Sequence, residues 1–172
     1  MLNIQRRLKR ATAEELAEPS PEPSVRPAKK VREGAYSAVV IGSSTGGPGA
    51  LQEILSALPG DLPVSIAISQ HMPAGFTRAF ADRLNKYSEW HVKEADEGEE
   101  MSVGKALVAP GGYHMAMVVE DGRKKVRLSK KRAGDKYVPS VDRLFKSAAE
   151  VYESRTLAVV LTGMGNDGTE GA

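Results

Sequence analysis

Residues 35–49 read Ala35-Tyr36-Ser37-Ala38-Val39-Val40-Ile41-Gly42-Ser43-Ser44-Thr45-Gly46-Gly47-Pro48-Gly49. The first half is an apolar, β-branched run, as expected of a strand buried on both faces. The second half is rich in glycine and reaches a proline suited to the first turn of a helix. Leu51, Ile54, Leu55 and Leu58 then recur at helical spacing, and Pro59-Gly60-Asp61 stops the helix. Strand, glycine turn and helix in that order is how a parallel sheet begins.

The pattern repeats downstream. Residues 64–69 read as a second strand. Residues 74–86 read as a second helix with Phe76, Ala79, Phe80 and Leu84 on one side. Short strands are expected at 91–95 and 105–109. Segments 114–119 and 125–129 flank Asp121-Gly122, a hairpin signal. A third helix is expected over 141–152, with Ser140 as N-cap and Asp142 in the first turn. Residues 156–162 read as a final buried strand. The expected fold class is α/β: a three-layer α/β/α arrangement with a mostly parallel sheet and a β-hairpin excursion.

Residues 1–34 are different in kind. A charged segment precedes Pro19, Pro21, Pro23 and Pro27, a density of proline that sustains neither helix nor central strand. This part carries 8 Lys/Arg against 5 Asp/Glu, and residues 35–172 carry 16 against 17. The expected organisation is a charged leader and Pro-rich linker over 1–34, then one domain over 35–172.

Composition narrows the function classes. The 172 residues carry a net charge of +2, with 41% hydrophobic and 27% charged residues. No whole-chain field draws the protein to nucleic acid or lipid. No apolar run approaches the roughly 18–20 residues of a membrane span. The N-terminal basic residues are followed by no apolar region of the kind a signal peptide has. Cysteine is absent, which excludes a thiol nucleophile, disulfides and thiolate metal sites. No two of the three histidines have metal-ligand spacing. The expectation is a cytoplasmic protein with no cofactor, no metal, no nucleic-acid partner and no membrane insertion, monomeric by default.

In an open α/β sheet, sites lie beyond the carboxyl ends of the strands. The first strand is followed by Gly42–Gly49, the second by Gln70-His71-Met72-Pro73, and the last by Gly163-Met164-Gly165-Asn166-Asp167-Gly168. These loops supply a hydroxyl, an imidazole and a carboxylate, the parts of an acyl-transfer triad. Gly42-Ser43-Ser44-Thr45-Gly46 matches G-x-S-x-G between a strand and a helix, the context that motif needs. Ser44 is then the nucleophile, His71 its base and Asp167 the group that orients the imidazole. Free N–H groups at the helix start are available to an oxyanion.

Plainer readings stand beside each residue. A glycine loop after a first strand is often a phosphate or dinucleotide cradle. Here G-x-G fails at its third position, and the second strand ends in Ser69-Gln70-His71 where an acid is expected. No Gly-Lys-Ser/Thr occurs, so a P-loop fails as well. His114 is a rival base, and His91 reads as a surface residue. Asp167 among glycines could serve only to cap a turn. Thr45 and Gln70 could complete only local hydrogen bonds. The acidic run at 94–100 and the basic run at 123–136 read as solvated, though the latter could steer an acidic protein surface.

Five ordered stretches carry a resemblance. They are Val40 to Pro48, Gln70-His71-Met72-Pro73-Ala74-Gly75-Phe76, Ala109-Pro110-Gly111-Gly112-Tyr113-His114-Met115, Pro139-Ser140-Val141-Asp142-Arg143-Leu144-Phe145, and Leu161 to Gly168. Together they resemble the catalytic domain of the CheB-type receptor methylesterase of bacterial chemotaxis, from about residue 36 to the end. The resemblance implies a Ser-His-Asp triad at Ser44, His71 and Asp167, supported by Thr45 and by Met164, a methionine credited with polarising the reacting carbonyl. It implies hydrolysis of glutamate methyl esters on the cytoplasmic helices of chemoreceptors, deamidation of glutamines, and no cofactor. Two departures accompany it. No receiver domain is recognisable, so phosphorylation control by this chain itself is not expected. The family's domain continues beyond the Asp motif whereas this chain stops at Ala172, so its C-terminal part is expected to be missing. The last strand is then expected to be uncovered on one face and Asp167 poorly held. The rival functions are a nucleotide- or phosphate-binding module using Gly42–Gly49 and an inactive receptor-docking relic.

Overall fold

A computed structural model describes residues 35–172. The leader and linker expected over 1–34 lie outside the described residues. Five strands form one parallel sheet: β1 (Ala38–Ser43), β2 (Ser65–Gln70), β3 (His91–Glu94), β4 (Lys105–Val108) and β7 (Thr156–Val160), in the order β3-β4-β2-β1-β7. The hairpin β5 (Tyr113–Glu120) and β6 (Arg123–Lys130) is antiparallel and separate. The helices are α1 (Gly47–Ala57), α2 (Thr77–Lys86) and α3 (Val141–Tyr152). The three-layer α/β arrangement and the hairpin agree with the reading of the sequence.

Strand alternation divides the apolar residues into two cores. Ile41, Ile66, Ile68, Ala106 and Val108 face α1 and α2, where they meet Leu51, Leu55, Phe80 and Leu84. Val40, Ala67, Leu107 and Ala109 face the other way, toward α3 and the hairpin, with Leu144, Phe145, Met115 and Met117. One layer is thus two helices. The opposite layer is a helix beside a hairpin.

Two local expectations are corrected. The second helix begins at Thr77 rather than at 74, because Gly75 has φ +88°, outside the helical region. Its buried face is therefore Thr77, Phe80, Ala81 and Leu84, and Phe76 stands 64% exposed. The last strand ends at Val160 and is not buried along its length, in keeping with the expectation that it is uncovered: it pairs with β1 alone, and Leu157 and Val160 are 37% and 55% exposed. An apolar run records what a strand can bury. It does not record how many neighbours the strand has.

Candidate active site

The site follows from the position of β1 between β2 and β7. The three carboxyl ends are stitched together by backbone bonds: His71 N–H donates to Ser43 O (2.9 Å), Leu161 N–H to Gly42 O (2.9 Å) and Ser44 N–H to Thr162 O (3.0 Å). Gly46 reverses the chain into α1 with φ +81°, a left-handed geometry that other residues adopt only under strain. Gly163 lets the last loop lie against the serine turn; a Cβ there would sit 2.7 Å from the Ser44 Cβ. A cleft results, lined among others by Ser44, His71, Met164 and Asp167.

His71 Nε2 lies 2.8 Å from Asp167 Oδ2. Ser44 is partly exposed in the same cleft but makes no hydrogen bond to the imidazole. Thr45 is exposed, and its carbonyl accepts a bond from Thr162 Oγ1. Met164 is 77% exposed at the cleft.

Asp167 is firmly held, contrary to expectation. Its side chain is 2% exposed. Oδ2 accepts from His71 and from Val141 N–H (2.7 Å). Oδ1 accepts from Asp142 N–H (3.0 Å) and Ser140 Oγ–H (3.0 Å). The carboxylate therefore sits on the N-terminus of α3, where unpaired amides and the helix dipole favour an anion. Burial alone would raise its pKa. The bonds from His71, the Asp142 and Val141 amides and Ser140 outweigh burial and hold the carboxyl far below the usual carboxylate range. With Asp167 ionised, His71 presents its Nε2–H to it and keeps Nδ1 as the free acceptor.

Ser140 is the N-cap of α3, as the sequence indicates, and its Oγ accepts from Arg143 N–H. Its donation to Asp167 is not legible in the sequence, because nothing in local spacing joins residues 27 positions apart. Gln70 also does more than local work. Its Oε1 accepts from Ser43 Oγ (2.6 Å), and its Nε2 donates to Ser44 O (2.9 Å) and His71 O (3.0 Å), so one buried amide ties the serine turn to the histidine loop. Gln70→Leu is expected to cost about 1–3 kcal/mol in urea unfolding, since it strands a buried hydroxyl and two carbonyls. A loss below about 0.5 kcal/mol would show that water takes over these bonds.

The rival base is placed elsewhere. His114 is 1% exposed and its Nε2 meets Asp135 Oδ2 at 2.9 Å. His91 is exposed at the first residue of edge strand β3. Much of the basic run is engaged: Arg123 pairs with Glu100, Lys125 with Glu120 and Asp121, and Arg127 with Glu120, while Lys124 lies over the Tyr152 ring. Among the described residues no group of three or more His, Cys, Asp or Glu could hold a metal ion. No helix among them is long and apolar enough to cross a membrane.

The family model for CheB methylesterase matches residues 39–172. The chain belongs to the CheB methylesterase family. It is similar to the protein-glutamate methylesterase/protein-glutamine glutaminase 3 of Geobacter sulfurreducens, with 53% identity over 138 residues, covering 80% of this chain and 37% of that protein. It is 51% identical over 138 residues to the corresponding enzyme 1 of Pseudomonas aeruginosa, again covering 80% and 37%. The chain thus spans little more than a third of the length of these relatives. The crystal structure of the Thermotoga maritima CheB methylesterase catalytic domain superposes with a TM-score of 0.76 at 46% identity, covering 79% of this chain and 72% of that one. The CheB likeness thus falls on the part of the chain that forms the sheet and its cleft.

Proposed function

We propose that residues 35–172 act as the catalytic domain of a chemotaxis protein-glutamate methylesterase that also deamidates glutamine, with Ser44, His71 and Asp167 as its triad. The observation that supports this most is the His71–Asp167 pair at 2.8 Å beside Ser44, in a chain of the CheB methylesterase family.

In this mechanism the Ser44 hydroxyl, which lines the same cleft, meets Nδ1 of His71, the nitrogen that Asp167 leaves free. Such bonds are often long or absent before substrate binds. Ser44 Oγ attacks the ester carbonyl as its proton passes to His71. Asp167 stabilises the imidazolium that forms. The imidazolium protonates the departing methoxide, and methanol leaves. Water, deprotonated by His71, then hydrolyses the acyl-serine to glutamate. A glutamine amide follows the same route with ammonia as leaving group. Backbone amides of the serine turn are the oxyanion donors in this reading; Ser44 N–H and Gly47 N–H are not among them, since they are bonded to Thr162 O and Ser44 O. Met164, exposed at the cleft, is assigned the polarising of the reacting carbonyl and Thr45 a supporting role, both on the family resemblance. No cofactor enters.

The same internal bonds argue against a phosphate cradle, which needs several loop amides converging on one anion. The substrates are glutamate methyl esters on the cytoplasmic helices of chemoreceptors, which places the protein in the cytoplasm, acting as a monomer. The test is methanol release from methylated chemoreceptor membranes. Release above the uncatalysed rate is expected. No release, with the protein folded, would overturn the assignment.

A further inference from the structure

One aromatic residue at the site has no part in the reaction as described. The ring of Tyr137 lies parallel to the imidazole of His71, with centroids 5.0 Å apart and planes 3° from parallel. We propose that Tyr137 is a positioning residue: its stacked ring fixes the plane of the His71 imidazole between Asp167 and Ser44, and the ion-pair cluster of buried His114 with Asp135 and Arg143 holds the loop that carries it. The proposal rests on the triad reading above.

A single hydrogen bond does not fix an imidazole. The bond to Asp167 sets one in-plane direction, and the backbone of His71 is held by Ser43 and Gln70. Rotation of the ring about the Nε2–Oδ2 direction remains open. That rotation moves Nδ1, the atom that must meet the serine hydroxyl. A second ring lying flat against the first blocks it.

Tyr137 is itself gripped from the carboxylate side. Its hydroxyl lies 3.5 Å from Asn166 Oδ1, and it packs so closely on Gly165 that a Cβ there would collide with it. Lys136 Nζ reaches the same Asn166 Oδ1 at 3.4 Å and lies 4.9 Å from the Tyr137 ring centroid. Tyr137 therefore touches both His71 and the turn that carries Asp167, joining two members of the triad by a second route.

The loop that delivers Tyr137 is anchored at Asp135. Its Oδ2 accepts from Arg132 N–H (2.7 Å) and faces His114 Nε2 (2.9 Å), and its Oδ1 accepts from Arg143 (2.6 Å). His114 reaches it from β5 and Arg143 from α3, so the loop is tied to two elements of one layer. A buried histidine paired with a carboxylate outside the cleft, which the triad does not explain, has a role in this arrangement.

The test compares the protein with Tyr137→Phe and Tyr137→Leu. Tyr137 is half-buried and outside both cores, so both variants are expected to fold, and equal melting temperatures check this. Two readouts are used: the chemical shifts of the carbon-bound ring protons of His71, and the rate at which a fluorophosphonate labels Ser44. The stacked ring shifts those protons upfield in the parent and in Tyr137→Phe, and the shift disappears in Tyr137→Leu. Labelling is expected to slow about ten- to a hundredfold in Tyr137→Leu, the scale of a small misplacement of a reacting group, and to hold in Tyr137→Phe. Parent-rate labelling in Tyr137→Leu would overturn the proposal. Equal losses in both variants would overturn it too, since the hydroxyl rather than the stack would then matter. A parent in which Ser44 takes no label overturns this proposal together with the triad. Absent methanol release with the labelling pattern intact would instead overturn only the substrate assignment.

Discussion

Ser44→Ala is expected to lower methanol release by about four to six orders of magnitude, to the residual rate that binding and oxyanion contacts sustain. That corresponds to roughly 5–8 kcal/mol of activation free energy. The size follows from the covalent route. Without the hydroxyl no acyl-enzyme forms, and water must attack the ester directly. The adjacent serine cannot substitute. Ser43 is 4% exposed and its Oγ donates to Gln70 Oε1 at 2.6 Å, in the opposite role of a structural tie. Ser43→Ala is accordingly expected to retain most of the activity. Methanol release and fluorophosphonate labelling of the two variants check the pair. A Ser44→Ala variant that still releases methanol within about tenfold of the parent would remove Ser44 from the mechanism.

Asp167→Asn is expected to lower kcat by about four orders of magnitude with little change in fold. The carboxylate receives four donors, two on each oxygen. Asparagine offers one oxygen and an NH2 that must face donors. If the NH2 points at His71, the imidazole has to accept at Nε2 and carry its proton on Nδ1, where it cannot act as base. If it points the other way, it confronts the Asp142 amide and the Ser140 hydroxyl. Ring and helix compete for the single acceptor.

The same substitution makes a statement about pH. Asp167 has a folded-state pKa held below its unfolded value, so its contribution to stability is present above the unfolded pKa and is lost as pH falls through the folded one. The stability difference between the parent and Asp167→Asn should therefore be constant at neutral pH and shrink progressively below about pH 5. Urea unfolding at pH 7 and at about pH 3 measures it. A difference that persists undiminished in acid would mean that the anion is not what holds the turn to α3.

Much of the site was legible before any coordinates, because its parts follow strands. A buried strand advertises itself by an apolar run, and what comes after it must lie at the end of the sheet. Ser44, His71 and Asp167 could be nominated on that ground. The supports of these residues could not. Tyr137 follows a basic run and reads as a lone aromatic, while Ser140 reads as a helix cap with no second duty. The bond from Ser140 to Asp167 spans 27 positions and that from His71 to Asp167 spans 96. Periodicity has no reach over such separations.

Local chemistry therefore determined the strand and helix types, the glycine turn at Gly46 and the α/β class, because torsional preference and side-chain alternation act over a few residues. Tertiary structure alone decided that α3 presents its amides to Asp167 and that Tyr137 lies flat on His71. Each of these depends on which surfaces meet once two cores close on opposite faces of one sheet. Those contacts join residues distant along the chain, and no window of sequence contains both partners.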